Sequence, residues 1–381
     1  MGFKRYYYAR DMFYGKLREL LTDIRHNNKE VILFGCGIPT NMAVYFFRDN
    51  GVEVSAIVDN NKKRQGTSFC GVKVYSPEKY LDGKARNIVI LIASTYQNEM
   101  ISQLEGLGYE YEKEIFVIID LKEATHNYSF FGHDGLTLMS DEELRSHQIK
   151  ILDRLKEICE KHNLRYWLCG GTLLGAVRHK GYIPWDDDID ILMEIKDIKR
   201  LNEILKEDRE YSIATYVDET QDVISTCSYM YEENTIMDMN HFPQQVSYGV
   251  SIDIFPLVGL PSEEEEFNSY LSQINLLLEK VWGSAYDNKK CREALTNLMK
   301  FMSSYDYDEY ELCGYVLSRH YTKERMPAEY YNKTCMLEFE GKEYVAPYYW
   351  HEYLVKLFGD KYMELPPEKD RVSNHCFKAY N

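Results

Sequence analysis

The residues best equipped for chemistry lie in one stretch, Leu168–Met193, which reads LCGGTLLGAVRHKGYIPWDDDIDILM. It holds the glycine pair Gly170 and Gly171, the basic trio Arg178, His179 and Lys180, and four aspartates in 26 residues. Neither an apolar core nor an ordinary loop calls for that mixture. From Asp188 the pattern Asp-Ile-Asp-Ile-Leu-Met predicts a short strand, in which alternate side chains share a face. Asp188 and Asp190 then point the same way, and two carboxylates on one face repel unless a cation lies between them. Hard oxygen ligands of this kind suit Mg2+, with Mn2+ as the close substitute. Asp186 is a further candidate ligand, whereas Asp187 has the opposite parity and reads as structural.

The residues before the aspartates suit a phosphate. Arg165–Leu168 reads as a strand running into Gly170 and Gly171, and Thr172–Val177 reads as a short helix. Glycines let the backbone approach a phosphate closely, and free N–H groups at the helix start point at it. Arg178, His179 and Lys180 add positive charge. Pro184 holds Ile183 extended, so Gly181–Trp185 reads as a turn that returns the chain to the carboxylates. A third carboxylate stands in Val250–Pro256, where apolar residues alternate with Ser251 and Asp253. An aspartate buried alone in a strand is costly, so Asp253 is either a third ligand of the same cation or a solvent-facing residue.

The string GGTLLGAVRHKGYIPWDDDIDI resembles the LicD family of phosphocholine transferases, with fukutin and fukutin-related protein as more distant members. A Gly-Gly pair followed by an Asp-hydrophobic-Asp-hydrophobic strand is likewise similar to the nucleotidyltransferase fold. The resemblance runs from about Leu136 to the C-terminus, with further matching blocks at Ser251–Leu257 and Met326–His375. It implies a mixed-sheet catalytic domain in which Asp188, Asp190 and Asp253 hold the metal and carry catalysis. Gly170, Gly171, Thr172, Arg178, His179, Lys180, Trp185, Asp186, Arg371 and His375 would face the substrate. The implied donor is CDP-choline or a related CDP-alcohol, the acceptor a sugar hydroxyl on a cell-surface glycan or lipid-linked oligosaccharide precursor, and CMP the leaving group. An NTP-using nucleotidyltransferase would share the metal site, and a non-catalytic nucleotide- or sugar-binding protein is the non-enzyme alternative.

Other elements must position these residues. Length alone, 381 residues, predicts two domains. Residues 1–125 read as a Rossmann-like parallel α/β domain behind a leading helix over Asp11–Arg25, with strands at Val31–Phe34, Val52–Val58, Ile88–Ile92 and Ile115–Ile119. Helices are expected at Asn41–Asn50 and Gln97–Leu107. The turn Gly35-Cys36-Gly37-Ile38-Pro39-Thr40 has the G-x-G-x-x-G context of a dinucleotide site, with Thr40 in place of the third glycine. Gly35, Gly37 and Asp59 are its candidate cofactor contacts, and an empty scaffold is the alternative. Residues 126–138 read as a linker, and the catalytic domain spans 139–381. It opens on a capping box, Ser140-Asp141-Glu142-Glu143, ahead of a helical stripe at Leu144, Gln148, Ile151, Leu155 and Ile158. A strand is expected around Val223–Met230, a hairpin about Glu340-Gly341, and helices at Ile195–Leu205, Phe267–Trp282, Lys289–Ser303 and Trp350–Phe358.

Composition narrows the partners. Hydrophobic residues at 45% and charged residues at 28% describe a soluble globular chain. The net charge of -16 argues against general binding to nucleic acid or to an anionic membrane surface, without excluding peripheral work at a membrane on a lipid-linked acceptor. No run reaches the roughly 20 apolar residues of a membrane span, and the N-terminus lacks a signal-peptide core, so a cytoplasmic location is expected. Nine cysteines without a C-x-x-C read as reduced thiols rather than a zinc site.

Overall fold

A computed structural model describes residues 4–6, 8–83, 87–120, 135–215, 225, 227–241, 244–317, 323–372 and 378–381. In the N-terminal part, five strands run parallel in the spatial order Val72–Tyr75, Val54–Val58, Glu30–Phe34, Ile88–Ile92, Ile115–Val117. Counted along the chain this is the order 3-2-1-4-5, with the two-residue strand Ser68–Phe69 antiparallel at one edge. The central strands are continuous apolar runs because both faces are covered. Helices Tyr8–His26 and Ile38–Asp49 pack on one face, and Gln97–Gly106 on the other.

The departures from expectation are local. The second helix starts at Ile38 rather than Asn41, since Gly37 serves as its N-cap and Pro39 is tolerated in a first turn. The next strand starts at Val54 because the Val52 N–H is taken by the Phe47 carbonyl at the helix exit. The Ser68–Tyr75 hairpin lay outside the sequence reading.

The C-terminal part is built on a seven-stranded mixed sheet. Ser251–Leu260 is its centre, antiparallel to Ser228–Glu232 on one side and parallel to Asp190–Glu194 on the other. Tyr166–Leu168 pairs antiparallel with Asp190–Glu194. Helix Asp141–His162 lies across this sheet and begins at the expected capping box, Ser140 Oγ accepting from the Glu143 N–H while Glu143 accepts from the Ser140 N–H. Its stripe of Leu144, Gln148, Ile151, Leu155 and Ile158 is buried. The strand expected at Val223–Met230 is observed as Ser228–Glu232, with residues 216–224 and 226 outside the described residues. The hairpin Thr334–Phe339 to Lys342–Pro347 turns through Glu340 and Gly341 with φ of 51° and 75°, the two positive angles of a tight right-twisting turn.

Helices Glu264–Gly283 and Asn288–Ser303 form a paired layer with its own apolar cluster. This layer also touches the N-terminal part: the Tyr45 hydroxyl donates to Glu279 at 2.8 Å, and Lys290 pairs with Asp49 at 2.9 Å. At the other extreme of the chain, Lys4–Tyr6 adds an antiparallel strand to Gln244–Tyr248, whose neighbour Ile236–His241 pairs with Lys378–Tyr380. Among the described residues no helix is long and apolar enough to cross a membrane.

Candidate active site

Asp190 and Asp253 are register partners on neighbouring parallel strands. Such strands lie about 4.8 Å apart, so the two carboxylates project side by side from the same edge. Backbone bonds fix both ends, with the Asp253 N–H donating to the Ile189 carbonyl at 2.8 Å and the Cys169 N–H to the Asp190 carbonyl at 3.2 Å. The buried Thr172 hydroxyl accepts from the Asp190 N–H at 2.8 Å, which ties the start of the motif helix to the start of the carboxylate strand.

The strand begins at Asp190, so the parity argument that aligned Asp188 with Asp190 and set Asp187 apart does not hold. Asp186, Asp187 and Asp188 instead occupy an irregular segment, and one carboxylate oxygen from each lies within 4.8 Å of the others. Helix Asp141–His162 holds that segment. Arg145 donates to the carbonyls of Pro184 and Asp186 and stacks its guanidinium 4.8 Å from the Tyr182 ring centre. Gln148, fully buried, donates to the Asp187 carbonyl at 2.9 Å and accepts from the Tyr182 hydroxyl at 2.8 Å.

The glycines face the carboxylates. They form the first residues of the helix Gly170–His179 rather than a loop before it. A Cβ on Gly170 would stand 3.1 Å from Asp190 Oδ2, and one on Gly171 2.8 Å from Asp186 Oδ2. Gly170 also has φ of 51° and donates its N–H to the Tyr353 hydroxyl at 3.2 Å. The result is a tight cradle of oxygens with the positive end of a helix against it.

Like charge dominates this cradle. Burial first, then Asp188, Asp253, Asp186 and Glu324, push the Asp190 carboxyl well above the usual carboxylate range. Several aspartates within a few ångströms fit a divalent cation, which removes that repulsion. A second acidic group, Glu194, Asp306 and Asp308, already has its cations, since Lys196 pairs with all three and Arg165 with Glu194 and Asp308. Cys169 is buried and pushed well up by burial and then Asp190, which keeps it a protonated thiol rather than a nucleophile.

The other expected contacts are spread more widely. Arg178, His179 and Lys180 close the far end of the motif helix, about 13 Å along its axis from the glycines at 1.5 Å per residue. Arg178 donates to the Tyr362 carbonyl at 2.9 Å and to His179 Nε2 at 2.9 Å, so it anchors the C-terminal tail. Burial and then Arg178 lower the His179 pKa. Lys180 is exposed at the helix C-cap with φ of 61°. Arg371 is brought to Trp185, its guanidinium 5.7 Å from the ring centre, while its Nε donates to the Pro366 carbonyl. His375 lies outside the described residues. In the N-terminal turn, Asp59 accepts from the Cys36 N–H at 2.9 Å and the Asn61 N–H at 2.7 Å, and Thr40 donates to the Gly35 carbonyl. Gly35 has φ of 93° there, and Gly37 is the helix N-cap.

The comparisons with known proteins bear on this geometry directly. The family LicD/FKTN/FKRP, nucleotidyltransferase domain, matches residues 163–270, a span that contains all five aspartates and both glycines. The lipopolysaccharide cholinephosphotransferase LicD of Haemophilus influenzae is 32% identical over 257 residues, covering 61% of this chain and 94% of that protein. The chain belongs to the LicD family. Human ribitol 5-phosphate transferase FKRP is 49% identical over 41 residues, 11% of this chain and 8% of that protein. The family C2185-like, N-terminal, matches residues 27–116. As a LicD-type phosphotransferase the protein is an enzyme of group transfer.

Several LicD-site neighbours escaped the sequence reading. Gln148 was visible only as a polar residue on an apolar helical stripe, and Arg145 only as a charge on the same helix. Glu324, buried and pushed up to about 7 by burial, carried no local signal at all. It lines a cavity of about 450 Å³ beside Gly170 and Asp190.

Proposed function

We propose that the protein transfers a phospho-alcohol group, phosphocholine from CDP-choline, to a sugar hydroxyl of a cell-surface glycan precursor with release of CMP. The observation that carries this reading is the Asp190–Asp253 register pair, with Asp186 and Asp190 seated against Gly171 and Gly170. The identity of the transferred group rests on the Haemophilus influenzae relative, a lipopolysaccharide cholinephosphotransferase. Asp188, Asp190 and Asp253 would hold Mg2+, with Asp186 beside them. When bound, the ion neutralises charge on the phosphates and aligns the two reacting oxygens.

The chain's own residues do the rest. Helix-start N–H groups at Gly171 and Thr172 face the donor phosphates. Trp185 and Arg371, paired with each other, would form one lip of the site. The acceptor oxygen bonds to the choline-bearing phosphorus, the bond from that phosphorus to the bridging oxygen breaks, and the electron pair leaves with CMP. Asp253, on a separate strand from the Asp186–Asp190 segment, takes the acceptor proton. We also read residues 1–125 as a Rossmann-like domain joined by residues 126–138 to a catalytic domain over 139–381. Its 3-2-1-4-5 parallel order supports that reading. The work would be cytoplasmic, at a membrane where the acceptor is lipid-linked.

The test is a Mg2+-dependent thermal-shift and CMP-release screen with CDP-choline, CDP-ethanolamine, CDP-glycerol, CDP-ribitol and CTP. Release of CMP from CDP-choline, lost in Asp188→Ala and Asp190→Ala, is the expected result. Pyrophosphate release from CTP would replace the transferase with a nucleotidyltransferase. Indifference to every nucleotide would leave a binding protein.

A further inference from the structure

The cavity beside Asp190 has a composition that the metal chemistry does not require. Gly170, Asp190 and Cys169 form its floor, against the proposed reaction centre. Its walls are Leu192, Phe255, Tyr315, Tyr353, Leu357 and Phe358. Phe255 and Tyr315 pack as a tilted pair with ring centres 4.7 Å apart. Tyr353 is held in place by the Gly170 N–H at its hydroxyl, and Phe358 is partly open at the mouth. Lys323, exposed at the rim, donates its ammonium to the Leu357 carbonyl at 3.0 Å.

One carboxylate sits in this apolar surround. Glu324 is 8% exposed, and among the described residues its side chain makes no hydrogen bond or ion pair. A buried carboxylate without a partner is costly. Resting on the phospho-alcohol reading above, we propose that this cavity is the head-group pocket, and that its rings and Glu324 select a quaternary ammonium over ammonium and polyol head groups. A trimethylammonium group has no N–H to satisfy, carries a full positive charge and presents methyl surface. Aromatic walls with one anion match all three properties. A polyol needs a hydrogen-bond partner for each hydroxyl, and Leu192, Phe255, Leu357 and Phe358, which make up most of the wall, supply none. The position is also suitable: a phosphate at the Asp190 edge puts a head group, two carbons on, into the adjoining cavity.

The test compares CDP-choline with its neutral carbon isostere, the CDP ester of 3,3-dimethylbutanol, and with CDP-ethanolamine and CDP-ribitol. Variants are Glu324→Gln, which keeps volume and removes charge, and Phe358→Ala at the exposed mouth, with thermal melting to confirm folding. CMP inhibition is measured alongside. Wild-type KM should be at least tenfold lower for CDP-choline than for the isostere, a gap that cation–π and charge contacts of this kind supply. Glu324→Gln should close that gap, and Phe358→Ala should raise the CDP-choline KM several-fold, with CMP inhibition unchanged in both. If wild type prefers CDP-choline and the variants keep the full preference, the pocket assignment falls alone. If the variants weaken CMP as much as CDP-choline, the pocket takes cytosine instead. If wild type uses CDP-ribitol at least as well as CDP-choline, or releases CMP from no CDP-alcohol, the phosphocholine reading falls with it.

Discussion

Replacing Gly170 and Gly171 one at a time with alanine separates what the backbone needs from what the carboxylates need. Gly170 has φ of 51°, where a side chain costs about 1–2 kcal/mol. Gly171 has no positive φ, and alanine in a helical position gains up to about 1 kcal/mol over glycine. The metal-free Gly171→Ala protein should therefore be more stable than Gly170→Ala by about 2 kcal/mol, read by urea unfolding. Activity should respond differently. The added Cβ at 2.8 Å from Asp186 Oδ2 forces that oxygen back by roughly half an ångström, and the 3.1 Å contact to Asp190 Oδ2 forces a shift about half as large. A misplacement of 1 Å costs about 100-fold, so Gly171→Ala should lose about tenfold in CMP release while keeping its fold. A Gly171→Ala enzyme with wild-type kcat would refute the cradle, and a Gly170→Ala protein as stable as Gly171→Ala would refute the backbone argument.

Three further perturbations follow from the charges. Because the Asp190 carboxyl is raised in the fold, its neutral form stabilises the metal-free protein at low pH and that stability is lost as pH rises. Asp190→Asn should therefore melt above wild type at pH 8 without metal, yet gain less on adding Mg2+ and release no CMP; a lower melting point without metal would contradict the like-charge account. Glu324 rises from 4.5 to about 7, so wild type should lose roughly 3 kcal/mol of metal-free stability between about pH 4.5 and 7. Glu324→Gln should flatten that slope, and an unchanged slope in urea titrations across this window would exclude the residue as its source. Gln148→Leu removes the bonds that Gln148 makes to the Asp187 carbonyl and the Tyr182 hydroxyl, which should cost about 2 kcal/mol and lower kcat through the loosened acidic segment. Equal stability of that variant would show the clamp to be redundant.

The parts of this structure legible in the sequence are those with a short-range cause. The Ser140 capping box, the Ile88–Ile92 strand, the Glu340-Gly341 turn and the Ile195–Leu205 helix all declare themselves within a few residues. The Asp188 register could not be read, because Arg145 and Gln148 hold residues 186–187 out of the strand from a helix some 40 positions earlier. The distance of Arg178 from the glycines was equally hidden: whether its charge turns to the donor or to the tail depends on the carbonyl of Tyr362. Glu324 acquires meaning only when Gly170, Phe255 and Tyr353, distant in sequence, close around it.

The strand Lys4–Tyr6, bound to Gln244–Tyr248, and the Tyr45–Glu279 and Asp49–Lys290 links bind opposite ends of the chain across its middle. A chain cut between residues 120 and 135 should therefore stay associated. A protease nick there should give two bands under denaturing electrophoresis and a single peak in gel filtration. Fragments made separately should each expose an unpaired strand edge or aromatic face and recover solubility only when expressed together.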